Sequence, residues 1–198
     1  MSIPVITISR EYGSGGRAIG ERLAKELGIP FYDKELIFMA AKESGLSEEY
    51  IKKTEQMKST SFLYGLYMGA QQLPMNDQIF LVQSKIIRQV ASEGPCVIVG
   101  RCADYALAGR PGLLRIFCRA DLTHRIKRIR QRHNLSPEKA ALLVAKTDRH
   151  RRVYYHHHTG KFWGHSSCYD LTVNTSVLGV EKTAEALEAY IRAFQEQD

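Results

Sequence analysis

Val5-Ile-Thr-Ile-Ser-Arg-Glu-Tyr-Gly-Ser-Gly-Gly-Arg-Ala-Ile-Gly20 is the stretch from which the fold is read. Val5-Ile6-Thr7-Ile8 is a short β-branched run, the composition of a strand. It ends in the glycine-rich turn Gly13-Ser14-Gly15-Gly16. Ala18, Ile19, Leu23 and Leu27 then recur at helical spacing, and Gly28 stands where a C-cap belongs. Strand, glycine turn and helix in this order aim backbone N–H groups and a helix N-terminus at an anion. The stretch departs from G-x-x-x-x-G-K-[ST]. With Gly16-Arg17 read as Gly-Lys, Glu11 takes the first glycine and Ala18 the hydroxyl position. With Gly13 and Gly15 on the glycines, Gly16 falls where lysine belongs. Either register loses the hydroxyl that reaches Mg²⁺. Arg17 can supply a positive charge, although its planar fork differs from a compact ammonium. The other reading is a βα turn that needs glycines for its shape alone.

Outward from this unit the pattern repeats. Ile29-Pro30-Phe31-Tyr32 is a second short strand, followed by helical signals over about 34–42. Ser47-Glu-Glu-Tyr reads as a helix start, with acids in its first turn. Ile79 to Val90 is helical, and Cys96-Val97-Ile98-Val99 is an apolar strand ended by Gly100-Arg101. Leu114 to Cys118 is a strand and Leu122 to Gln131 a helix. Ser136-Pro137 pairs an N-cap with proline at the first helical position. Leu171 to Asn174 is the last strand and Val180 to Phe194 the last helix. Short apolar strands alternating with helices predict a three-layer α/β fold: a central parallel sheet of about five strands, helices on both faces.

The chain of 198 residues predicts one domain over 1–198, large enough to bury a core without disulfides or a structural metal. Cys96 and Cys118 lie in apolar strands, where reduced buried thiols belong. With no signal-peptide pattern at the start, this predicts a cytoplasmic protein. No apolar run reaches the ~18–20 residues of a membrane helix, so no membrane association is expected. The net charge is +7, and between Arg115 and Lys161 thirteen lysines and arginines face three acids, Asp121, Glu138 and Asp148. That balance suits a polyanion, a nucleoside triphosphate or a nucleic acid. No recognisable nucleic-acid-binding motif accompanies it, which ranks nucleic acid last.

Taken with Pro30-Phe-Tyr-Asp-Lys-Glu-Leu-Ile37, Val97-Ile-Val-Gly-Arg101, Asp148-Arg-His-Arg-Arg-Val-Tyr-Tyr155, Thr159-Gly-Lys161 and Tyr169-Asp-Leu-Thr-Val-Asn-Thr175, the glycine-rich stretch resembles the cytidylate kinase-like family. The resemblance implies a P-loop kinase fold with a helical acceptor insert over about 45–75 and an arginine-bearing lid over about 134–165. It implies a phosphotransferase that takes ATP with Mg²⁺ and passes a phosphoryl group to a nucleoside monophosphate, CMP or dCMP. It also implies site residues: Gly13, Ser14, Gly15, Gly16, Arg17 and Ala18 at the donor phosphates, Tyr32, Asp33 and Arg101 at the acceptor, and Asp148, Arg149 and Arg152 on the lid. Two other functions stay open, a nucleotide sensor without turnover and a kinase for a small molecule other than a nucleotide.

The chemistry asks mainly for alignment and charge neutralisation, which guanidiniums provide through two-point contacts with phosphate. Arg149 and Arg152 are three apart and share a helix face, so they are expected inward, catalytic together with Arg17, with Arg151 pointing elsewhere. Asp33 is expected to hold the acceptor or orient a Mg²⁺-bound water. Asp104 is a second acceptor candidate, or a cap of the helix after its strand. His156-His157-His158 is read as part of the basic segment rather than a metal site, because adjacent histidines do not converge on one ion and no carboxylate accompanies them in sequence. Trp163 with Phe162, and Tyr154 with Tyr155, can stack on a base, but lid packing is the commoner use of such aromatics. Leu63 to Met75 offers either a homodimer contact or a cover over the acceptor pocket.

Overall fold

The computed structural model describes residues 4–33, 39 and 75–195. The helical signals over 34–42, apart from Met39, lie outside the described residues. So do the Ser47 helix start and most of the 45–75 insert.

Five strands form one parallel sheet: β1 (Val5–Arg10), β2 (Phe31–Tyr32), β3 (Val97–Val99), β4 (Leu113–Arg119) and β5 (Leu171–Asn174), in the order β2-β3-β1-β4-β5. Each strand was legible from its apolar run. The helices are α1 (Gly16–Leu27), α2 (Met75–Glu93), the single turn α3 (Ala103–Ala106), α4 (Leu122–His133), α5 (Pro137–Thr159) and α6 (Thr175–Gln195). Local signals hold at two ends. Gly28 closes α1 in the left-handed conformation, and the Ser136 hydroxyl accepts the Lys139 N–H at the start of α5.

Side chains alternate across the strands, so the sheet buries two separate cores. On one face Ile6, Ile8, Val97, Val99, Leu114 and Ile116 pack against Ile19 and Leu23 of α1 and Leu187 and Ile191 of α6. On the other, Val5, Cys96 and Ile98 meet Ile79, Ile86, Ile87 and Val90 of α2 with Ala103, Ala106 and Leu107. Met39 packs against this second core as well. All four cysteines are free and buried. Among the described residues no helix is long and apolar enough to cross a membrane.

Parallel strands place all their C-terminal ends on one side, where loops gather around a ligand. Here Glu11 to Gly15, Gly100 to Cys102 and the middle of α5 meet. α4 and α5 form a helical hairpin closed by Ile129, Ala140 and Val144, with Tyr12 against it. Two contacts pin α5 to the end of β1 and its turn, and a third pins it to α3. The Asp148 carboxylate accepts the Tyr12 N–H at 2.7 Å, Arg151 donates to the Arg10 carbonyl at 2.7 Å, and the Tyr155 hydroxyl donates to Asp104 at 2.7 Å.

Candidate functional site

The turn after β1 is wound by glycines. Gly13 and Gly15 have φ of 82° and 87°, a region costly for residues with a Cβ, and Gly15 is the N-cap of α1. Its carbonyl accepts the Ile19 N–H at 3.0 Å. Gly13 accepts a hydrogen bond from the Arg128 guanidinium on its carbonyl. A cleft of about 390 Å³ opens in front of the turn. Gly13, Gly15, Gly16, Arg17 and Ala18 form one wall, and Arg10, Arg128, Arg132 and Arg151 add cations, against Glu11 and Glu181. Five guanidiniums against two carboxylates give the cleft a positive balance, the charge that suits an anion.

A second cleft of about 560 Å³ adjoins it, lined by Arg10, Arg101, Leu143, Lys146, Thr147, His150, Arg151 and Tyr154. No acid lines it among the described residues. Arg10 and Arg151 line both clefts and so stand between them. Burial first, then the charge of Arg151, pushes the Arg10 guanidinium down to about 9. Burial likewise lowers Arg151, with Arg101 adding to the effect. Both remain cations at neutral pH, held together at a cost that an anion would relieve.

The structure gathers most of the predicted donor residues and redirects several others. Gly13, Gly15, Gly16, Arg17 and Ala18 line the first cleft, but Ser14 does not. Ser14 is fully buried; its hydroxyl accepts the Gly16 N–H at 3.4 Å and its carbonyl the Thr175 hydroxyl at 2.6 Å. The Arg17 guanidinium lies between Asp33 Oδ2 at 2.8 Å and Glu21 Oε2 at 2.9 Å. Asp33 is buried and faces Arg10 as well, at 3.8 Å. Tyr32 packs against the second core, and burial raises its phenol. Arg101 lines the larger cleft, from a left-handed backbone with φ of 59°.

Four expectations are corrected. Arg149 and Arg152 are exposed and line neither cleft, whereas Arg151, expected to point away, lines both. The stripe of α5 that faces the body is Val144, Asp148, Arg151 and Tyr155, at helical spacing. Arg149 and Arg152 lie one position beyond its members, about 100° around the helix. Asp148 is not presented to a ligand: it is buried, pairs with the Arg125 guanidinium and accepts the Tyr12 N–H. Asp104 neither lines a cleft nor caps α3, whose N-cap is Cys102. It is buried under α5, bonded to Tyr155 and to Ser9 at 3.4 Å, and burial raises its carboxyl.

The histidine run also differs from its reading. Asp77, distant in sequence, lies 2.8 Å from His157 Nε2 and 3.6 Å from His158 Nδ1, so a carboxylate does accompany the pair. His158 stacks on Phe80 at 4.1 Å, and His156 stacks on Phe162 at 5.6 Å. Trp163 packs edge-on against Phe117. Arg10, Arg128, Arg132, Lys146 and His150 were missed in the sequence. The one signal for Arg10 is its place at the end of the strand that leads into the glycine turn.

The profile of the cytidylate kinase-like family matches residues 5–177. Cytidylate kinase from Pyrococcus horikoshii is 27% identical over 188 residues, covering 94% of this chain and 88% of its own length. That from Thermococcus kodakarensis is 28% identical over 189 residues, with 94% and 87% covered. Among solved structures, an uncharacterised protein from Eubacterium ventriosum superposes with a TM-score of 0.73 at 26% identity, covering 96% of this chain and 98% of that one. A shikimate kinase from Bacteroides thetaiotaomicron shares the fold, with a TM-score of 0.56 at 12% identity and 96% and 98% coverage. The five-stranded parallel sheet, the glycine turn at the end of β1 and a profile match over most of the chain therefore agree, and this chain belongs to the cytidylate kinase-like family.

Proposed function

We propose that the chain is an ATP-dependent phosphotransferase whose acceptor is a nucleoside monophosphate, CMP or dCMP. The triphosphate occupies the cleft at the glycine turn and the acceptor the larger cleft at Arg101. Membership of the family and relatives named cytidylate kinase support the reaction class. The observation that carries the reading is the pair of adjoining cationic clefts with Arg10 and Arg151 in their common wall. In such a reaction an acceptor oxygen forms a bond to the terminal phosphorus as the bond to the ADP oxygen breaks. The protein's part is alignment and charge stabilisation.

Among the described residues at the clefts, the fit to Mg²⁺ is through the nucleotide. Arg17 and Ala18 offer no hydroxyl, Asp33 is held by two guanidiniums, and Glu11 accepts the Ala120 N–H at 3.0 Å and faces Arg125 at 3.5 Å. Phosphate oxygens and water would supply the ligands, and the ion would neutralise phosphate charge.

A second reading, a nucleotide sensor without turnover, draws on the engagement of Arg17 with Asp33 and Glu21 and on the missing hydroxyl. Coupled ADP release with ATP, Mg²⁺ and a panel of nucleoside monophosphates separates the two, run beside calorimetric ATP binding. Turnover on CMP or dCMP is the expected result. Binding without turnover on any monophosphate favours the sensor or an acceptor that is not a nucleotide. Absence of ATP binding removes both readings.

A further inference from the structure

α1 starts at Gly16 with Gly15 as its cap, which fixes the register of the turn. With Gly15 as the second glycine of G-x-x-x-x-G-K-[ST], Gly16 holds the lysine position and Arg10 the position of the first glycine. The two departures are spatial neighbours. A Cβ built on Gly16 would lie 2.7 Å from Arg10 Cβ, 2.9 Å from Cys118 Cβ and 3.3 Å from Arg10 Cγ. The two Cβ atoms are fixed to the backbone and cannot swing aside, so position 16 has no room for a side chain while Arg10 and Cys118 stand there. Gly100 makes room at the other end, because its Cβ would fall 2.0 Å from Arg10 Nη1. The Arg10 stem thus passes over Gly16 and its head lies over Gly100, at the boundary of the two clefts. There it joins Arg151, which donates to the Arg10 carbonyl and stacks over the Tyr12 ring at 5.4 Å.

We propose that Arg10 replaces the missing phosphate-loop lysine, gripping the terminal phosphate of the donor from the first-glycine position, with Gly16 and Gly100 as the vacancies that admit it. A guanidinium suits this place better than an ammonium, because its planar fork reaches two oxygens of one phosphoryl group at once. Arg10 and Arg151 together flank that group where donor and acceptor clefts meet. The lysine is absent because its charge arrives from six residues earlier in the chain. The role in transfer rests on the kinase reading above, whereas the role in holding a polyphosphate does not.

Tripolyphosphate, which has no base or sugar, is the first probe. Its calorimetric affinity is measured for wild type, Arg10→Ala and Arg10→Lys, with thermal unfolding as the check on folding. Expected is a loss of more than tenfold in Arg10→Ala at unchanged melting temperature, and a smaller loss in Arg10→Lys. Gly16→Lys alone is expected to lower the melting temperature, and adding Arg10→Gly to recover part of that loss. Arg10→Ala binding within twofold of wild type overturns the proposal, as does a wild type that binds no tripolyphosphate or a Gly16→Lys variant with unaltered stability. Turnover is read separately. Arg10-dependent tripolyphosphate binding without turnover leaves Arg10 in place and removes the kinase reading. Turnover retained in Arg10→Ala removes Arg10 and keeps the kinase.

Discussion

Asp148 and Arg125 form an ion pair that is almost wholly withdrawn from water, each side chain 11% exposed, at the point where α5 crosses the glycine turn. Removing Asp148 leaves the buried Arg125 with Glu11, at 3.5 Å, as its remaining carboxylate, so the loss falls at the lower end of the about 3–5 kcal/mol that stranding a buried charge costs. Asp148→Ala is therefore expected to lower the melting temperature by roughly 10 °C, at about 2–4 °C per kcal/mol for a chain of this size. Calorimetric or circular-dichroism unfolding checks it, and a shift under 2 °C would mean the pair contributes little. Gly15 carries a different constraint. Its φ is 87°, and a Cβ there would lie 2.4 Å from Val180 Cγ2 of α6. Gly15→Ala is expected to cost about 1–3 kcal/mol from backbone strain alone and to weaken ATP binding as the turn opens. Denaturant unfolding beside ATP calorimetry measures both effects; an alanine variant with native stability and affinity would contradict the tight packing of α6 on the loop.

At the scale of elements, α5 serves as the clamp of the site, and its two halves are fastened by different means. The middle is held by Asp148, Arg151 and Tyr155 on the end of β1 and on Asp104. The last turn is held on α2, where Phe80 stacks against His158 and meets Tyr154 edge-on. Burial first, then the neighbouring His157, pushes the His158 imidazole down to about 4, while Asp77 opposes the shift. Since the folded value lies below the unfolded one, near 6.5, the unfolded chain binds more protons between them. The contribution of His158 is complete above about pH 6.5 and is lost as pH falls toward 4. His158→Phe keeps the ring stack and removes the proton, so its stability should fall less steeply than wild type across that window. Parallel urea titrations at pH 7, 6 and 5 decide this; equal slopes would show that His158 does not carry the dependence.

For the whole molecule, the first cleft draws its walls from β1 and its turn, α1, α4, α5 and α6, so a ligand there ties together segments from Arg10 to Glu181. ATP is expected to raise the melting temperature, by about 2.7 kcal/mol of stabilisation at one hundred times its dissociation constant, or roughly 5–10 °C. Added salt should reduce the gain, because the wall is built of charges that salt screens. A scan with ATP, with and without 0.5 M NaCl, measures both, and an ATP shift indifferent to salt would place the binding energy elsewhere than on the guanidiniums. The five strands, the glycine turn and most helix limits among the described residues were legible in the chain, since apolar runs, caps and glycines act over a few neighbours. Which arginines line the clefts was not. Arg149, Arg151 and Arg152 look alike in sequence, and only the packing of Val144, Asp148 and Tyr155 turns Arg151 inward. Asp77 reaches His157 across 80 positions, and Arg10 passes over Gly16 and Gly100, contacts that spacing along a chain does not encode. Local sequence by itself determined the elements and their order; tertiary structure decided the site, because side-chain direction there follows from burial against partners distant in the chain.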